Sequence, residues 1–115
     1  MKYLFLLWQD ESKAPAAGSP EQGAQYAAYG KFFDEASTAG AFVSGDPLQG
    51  SATGLTVSGS NGSASRTTGP FKSGAEQLVG FYVLECKDDD DAAAWAAKIP
   101  AAATGSVEVR PVMAM

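Results

Sequence analysis

The stretch RTTGPFKSGAEQLVGFYVLEC, residues 66–86, places a Gly69-Pro70-Phe71 turn and a polar loop directly before the most apolar run in the chain. Its chemistry-bearing residue is Glu76. A carboxylate at the mouth of a buried strand acts as a general base, pairs with a cation, or is simply a surface residue. Arg110, on an alternating segment far along the chain, could grip an acidic ligand bidentately or pair with Glu76 or another carboxylate. Pro70 fixes the turn, so Phe71 either tucks into the core or offers an aromatic face to a ligand in a cleft. Tyr26 and Tyr29 sit three residues apart, a helical spacing that serves a core as readily as a site.

Other groups point away from chemistry. Four successive aspartates, Asp88–Asp91, suggest a metal, but consecutive carboxylates diverge and form no cage unaided. They are better read as the acidic first turn of a helix, opposed to its positive dipole end. Cys86 ends the apolar run, where a thiol is inert packing. The chain has no histidine and one cysteine. Ser-His-Asp and Cys-His catalysis and His-containing zinc sites are thereby excluded, as is any intramolecular disulfide. Acid–base work would fall to carboxylates, Tyr, Lys or water. With no glycine loop to cradle a phosphate, the expectation is that neither metal nor tightly bound cofactor is needed.

At 115 residues, 45% hydrophobic and 18% charged, the chain is long enough for one globular domain, residues 1–115. The net charge of −5, with the eight Lys and Arg dispersed, lacks the basic stripe that nucleic acid requires. The opening apolar run, Tyr3–Trp8, is shorter than a secretory core, and no stretch approaches the ~20 apolar residues that span a bilayer. A cytoplasmic protein that binds neither nucleic acid nor membrane is expected.

The elements that would position these groups follow from periodicity. Lys2–Trp8 and Leu78–Cys86 are apolar on both faces, as strands in the middle of a covered sheet are. Ser19-Pro20-Glu21-Gln22 starts a helix with Ser19 as N-cap, and Tyr26, Tyr29, Phe33 and Ala36 recur along it until Gly40. Gly23 and Gly30 inside that helix imply close packing on the sheet. Ala41–Ser44 reads as a short strand ending in a Gly45-Asp46-Pro47 turn. Strands near 53–58 and 63–67 flank Asn61-Gly62, a hairpin signal. A helix follows the aspartates, with Ala92, Trp95, Ala96 and Ile99 on one face and Pro100 closing it. Ser106–Val112 alternates, with Val107, Val109 and Pro111 opposite Glu108, Arg110 and Val112. The order is that of an α+β domain close to ferredoxin-like: two helices on one face of an antiparallel sheet, with an added β-hairpin. Two helices cover one face only, so a second copy is expected to cover the other.

The segments MKYLFLLWQDE, AAYGKFFDE, TGPFKSGAEQLVGFYVLE, AAAWAAKIP and VEVRPV, in this order and with the hairpin between, resemble the YCII-related proteins. Within them they resemble the branch named for an Asp-Gly-Pro-Phe motif. The resemblance implies a ferredoxin-like dimeric α+β barrel, a homodimer formed sheet to sheet, and a cleft where the Gly-Pro-Phe loop meets the sheet and first helix. The motif's Asp is Thr68 here, and the position of a catalytic His in other relatives corresponds to Tyr29. The expected cleft therefore contains Tyr29, Thr68, Phe71, Glu76 and Arg110. The leading functional expectation is a homodimer binding a small organic molecule in an aromatic-lined cleft, in a regulatory or accessory role. The alternatives are a cofactor-free lyase, isomerase or monooxygenase-like enzyme using Glu76 or Tyr29, and an interaction module linked to transcription regulation.

Overall fold

The computed structural model describes residues 1–115, the side chain of Asn61 excepted. Its elements are β1 (Lys2–Asp10), α1 (Pro20–Thr38), β2 (Phe42–Pro47), β3 (Leu55–Ser58), β4 (Ser65–Thr68), β5 (Glu76–Glu85), α2 (Asp89–Lys98), α3 (Ala101–Thr104) and β6 (Ser106–Pro111). Four strands form an antiparallel sheet in the order β2-β5-β1-β6, the ferredoxin-like arrangement. The strands β3 and β4 pair only with each other, Leu55 opposite Thr68 and Ser58 opposite Ser65.

Alternation along β1 decides the layers. Tyr3, Phe5 and Leu7 point into the core and are buried, while Leu4, Leu6 and Trp8 face the other way and are only partly covered. The same side of the sheet carries Leu84 and Tyr82 of β5 and Val107 and Val109 of β6. Phe32 and Ala36 of α1, Ala92 and Ala96 of α2, Ile99, and Ala101 of α3 pack on it. The opposite face of the sheet bears Leu4, Leu6, Trp8, Phe81 and Val83, with Glu108 and Arg110 at its β6 edge.

Helix ends follow local chemistry. The Ser19 hydroxyl accepts from the Gln22 N–H at 3.1 Å, and the Gln22 side chain reaches back to the Gly18 N–H at 2.7 Å. Asp88 is the N-cap of α2, accepting from the Asp91 N–H at 2.8 Å, and Asp91 itself accepts from the Lys87 N–H. Asp89 takes the Tyr3 hydroxyl at 2.8 Å. Each of these carboxylates is thus engaged in capping or tethering.

Four details differ from the periodicity reading. Pro100 follows the end of α2, which stops at Lys98, but it is also the N-cap of α3, a third helix that periodicity did not anticipate. This fits proline's missing N–H, which a helix start does not need. Gly45, Asp46 and Pro47 lie within β2 rather than in a turn, paired with Tyr82, Phe81 and Gly80. The seam of α1 runs through Tyr29, Phe32 and Ala36, whereas Tyr26 and Phe33 are 66% and 46% exposed on a neighbouring stripe. Gly23 and Gly30 are not in close contact with the sheet, since nothing lies within 4 Å of a Cβ built at either.

Two glycine substitutions should therefore have opposite signs. Gly30→Ala fills open space and relieves the entropic cost of a helical glycine, so it should stabilise by about 0.5–1 kcal/mol. At Gly105 an added Cβ would overlap the Trp8 carbonyl oxygen, a backbone atom that cannot swing aside. Gly105→Ala should destabilise by about 3 kcal/mol. Urea midpoints at unchanged m-value check both.

Candidate functional site

Strand β5 is interrupted twice in its pairing. Against β1 the register slips between Leu7, opposite Gly80, and Trp8, opposite Leu78, leaving Val79 as the extra residue. Against β2 it slips between Phe42, opposite Leu84, and Ser44, opposite Val83. The second bulge turns Gly45 towards the helix side, beside Tyr82. A Cβ at Gly45 would overlap Tyr82 Cδ1 and stand 2.8 Å from the Phe81 carbonyl oxygen. The absent side chain is what lets the Tyr82 ring lie across the neighbouring strand.

Around that ring the aromatic residues gather. Phe32 lies 5.0 Å from Tyr82 by ring centroids, Phe42 lies 6.3 Å from it, and Phe33 meets Phe42 edge-on at 4.9 Å. Between the exposed stripe of α1 and the ends of β1, β2 and β5 they leave a concave cleft of about 490 Å³. Tyr26, Tyr29 and Phe33 form its helix wall, and Phe42 and Tyr82 its sheet wall, with Leu7, Pro47 and Val79 beneath. Gln9 and Gln25 supply its amides. Gln9 is itself held, its Nε2 donating to Thr104 Oγ1 at 2.6 Å.

Burial pushes the Tyr29 hydroxyl up to about 12, with Tyr82 adding to the shift and a backbone hydrogen bond from Ala101 opposing it. Burial raises Tyr82 as well. Both hydroxyls therefore stay protonated at neutral pH and serve as hydrogen-bond donors. Cys86, buried, is pushed up to about 11 by burial and by Asp91, so its thiol is unreactive. Among the described residues no three Cys, Asp or Glu side chains gather in a way that could hold a metal ion.

Of the five side chains singled out from the sequence, the cleft contains Tyr29. Thr68 ends β4 and is exposed. Phe71 is 89% exposed on the loop beyond it. Glu76 is exposed at the start of β5, opposite Asp10. Arg110 lies opposite Leu4 on the uncovered face of the sheet and pairs with Glu108 at 3.5 Å, not with Glu76. Arg110 is separated from the cleft because β6 occupies the far edge of the sheet from β2, and the loop's Lys72 lies over Trp8, which faces away from the helices.

The loop is nonetheless fixed. Gln77, the buried polar residue at its end, donates from Nε2 to the Lys72 and Gly74 carbonyls at 2.8 and 2.9 Å. Lys72 Nζ donates to the Ser73 and Glu76 carbonyls and stands 5.9 Å from the Trp8 ring centroid. Gly69 and Gly74, at φ of 111° and 104°, adopt backbone that other residues rarely do. The Gly69 N–H donates to the Gly54 carbonyl at 2.7 Å, which ties the loop to the hairpin base.

The wall residues that periodicity overlooked are Phe42, Gly45 and Tyr82. One signal was available: an isolated glycine inside a strand often marks a bulge or a close approach.

Two outcomes are expected. Gly45→Ala should displace the Tyr82 ring and destabilise by about 1–3 kcal/mol, whereas the pair Gly45→Ala with Tyr82→Ala should cost less than the sum of its parts. Tyr3, whose hydroxyl is raised to about 12 by its bond to Asp89, joins Tyr29 in holding a proton that the unfolded chain releases near 10. Their contribution is complete below pH 10 and is lost as pH climbs through 12, so the urea midpoint should fall across that window. The fall should be smaller in the Tyr3→Phe, Tyr29→Phe variant, and a flat profile would contradict the assignment.

An uncharacterized protein of Rhizobium meliloti (strain 1021) is 46% identical over 46 residues, a stretch covering 38% of this chain and 37% of that protein. The match thus spans little more than a third of that relative's length. The YCII-related domain matches residues 1–115. On that match, which runs the length of the sequence, the chain belongs to the YCII-related domain family.

Proposed function

We propose that this protein binds a small organic molecule in the aromatic cleft and acts as a homodimer in a regulatory or accessory role. The observation that carries the reading is the cleft itself. Tyr26, Tyr29, Phe33, Phe42 and Tyr82 line about 490 Å³, inside the roughly 300–1,000 Å³ typical of small-molecule pockets. A binding role is favoured over catalysis because the Tyr29 hydroxyl holds its proton and Glu76, the carboxylate considered as a base, stands outside the cleft. The finer assignment to the Asp-Gly-Pro-Phe branch, with Thr68 in place of the Asp, belongs to the same proposal, as does a cytoplasmic setting. No helix among the described residues is long and apolar enough to cross a membrane.

The homodimer is supported by the uncovered face of the sheet, where Leu4, Leu6, Trp8, Phe81 and Val83 are partly exposed. Phe71 stands beside it, because Lys72 on the same loop packs over Trp8. An aromatic left 89% exposed on a hydrogen-bonded loop is the kind of residue that anchors an interface. In this reading Phe71 and Arg110 contribute to contacts between copies rather than to the cleft.

Two experiments test the proposal. Aromatic fragments titrated against the labelled protein should shift the amide resonances of Gln25, Tyr29, Gly45 and Tyr82, and Phe42→Ala should weaken them at least about fivefold. Shifts scattered over the surface would overturn the cleft reading. Light scattering at micromolar concentration should give a dimer whose interface buries about 1,600 Å² or more. Leu6→Arg should yield a folded monomer, and Phe71→Ser should raise the dissociation constant at least about tenfold. A wild-type monomer would overturn the dimer.

A further inference from the structure

The walls of the cleft also restrict what can enter it. Among the described residues its lining carries no Lys or Arg, and the chain has no His. The lining residue that bears a charge is Asp46, paired with Phe81. By strand alternation after Gly45, its side chain belongs to the opposite side of the sheet from Tyr82. A carboxylate or phosphate entering here would lose its water shell and meet no cation, which is costly. The net charge of −5 adds a long-range repulsion to the same end.

The hydroxyls of its lining, beside the amides of Gln9 and Gln25, set the second condition. Tyr29 and Tyr82 both line the cleft, Tyr29 from the helix and Tyr82 from the sheet. Each of these hydroxyls carries an O–H proton that a bound molecule can accept. Burial in an apolar wall makes an unused donor expensive, so a ligand that fits must present an acceptor. An organic cation would gain from the ring faces but would leave both donors without a partner.

We infer that the cleft selects an uncharged, planar aromatic carbonyl compound, its rings against Tyr26 and Tyr29 beside the Phe33–Phe42 contact, its carbonyl oxygen accepting from the Tyr29 and Tyr82 hydroxyls. The inference rests on the cleft being a ligand site. It adds the charge and the acceptor that the ligand must have.

Four probes of one ring system test it: acetylnaphthalene, methylnaphthalene, naphthoate and naphthylmethyl-trimethylammonium, each titrated against the labelled protein. Acetylnaphthalene should bind at least about tenfold more tightly than each of the two ions. Tyr29→Phe and Tyr82→Phe should each weaken acetylnaphthalene about fivefold, the worth of one hydrogen bond, and leave methylnaphthalene unchanged. Each phenylalanine variant keeps the ring and so preserves the wall. If naphthoate or the ammonium probe binds as tightly as acetylnaphthalene, the charge selection is overturned while the cleft remains a ligand site. If methylnaphthalene loses as much as acetylnaphthalene in the phenylalanine variants, the carbonyl contact is overturned. If none of the four shifts the resonances of the cleft, the ligand-site reading fails together with the inference.

Discussion

The antiparallel pair of β1 and β5 runs through the middle of the sheet with apolar side chains on both of its faces. Tyr3, Phe5, Leu7 and Leu84 turn to one side and Leu4, Leu6, Trp8, Phe81 and Val83 to the other. Because successive residues of a strand must point in opposite directions, neither set can be hidden by moving the other. The helices satisfy the first set, and the three of them fit because their contact residues are small. Ala36, Ala92, Ala96 and Ala101 let the helices approach the sheet closely around Phe32 and Ile99. The second set is what makes a second copy of the chain the natural cover in the proposed dimer.

The cleft arises where this regular plan is broken. Two bulges at the β5 ladders, one against β1 and one against β2, shift the facing of the residues beyond them. The one at Val43 carries Gly45 to the helix side, and only there does its missing side chain admit the Tyr82 ring. Without the shift, strand alternation would have turned Asp46 inward in its place. An apolar, donor-lined concavity and a charged one thus differ by one residue of register. Helix α1 completes the space by being only partly committed to the core, since its buried contacts run through Phe32 and Ala36 while Tyr26 and Phe33 stay partly exposed at its flank, Phe33 against Phe42.

The Thr68–Glu76 loop is a separate device. It is stitched by the Gln77 amide and the Lys72 ammonium to its own carbonyls, and its glycines take backbone that holds the turn open. Such an arrangement fixes the loop backbone and leaves Phe71 exposed on it. Its position beside Trp8 relates it to the uncovered face of the sheet, whereas the cleft opens on the helix side. Ligand binding and assembly, as proposed, would therefore use opposite faces of the same sheet.

Strand and helix positions were legible in the residues because they depend on near neighbours. The Ser19 cap, the acidic first turn of α2, the two-sided apolar runs and the alternation of Val107 and Val109 each act within a few residues. The presence of an aromatic site element at Tyr29 was legible for the same reason, as a repeat along a helix. The partners of Tyr29 were not. Glu76 and Arg110 look complementary in a list of charges, yet Glu76 faces Asp10 and Arg110 faces Leu4, toward opposite ends of one strand. The resting place of the Tyr82 ring, the facing of Gly45 and the openness around Gly23 and Gly30 depend on ladder register and on the angle of a helix over a sheet. Those quantities are set by contacts between segments distant in the chain, so local spacing carries no trace of them. Apart from the short α3 and the end of β2, which elements form was determined by the sequence alone; which side chains meet was decided by tertiary packing.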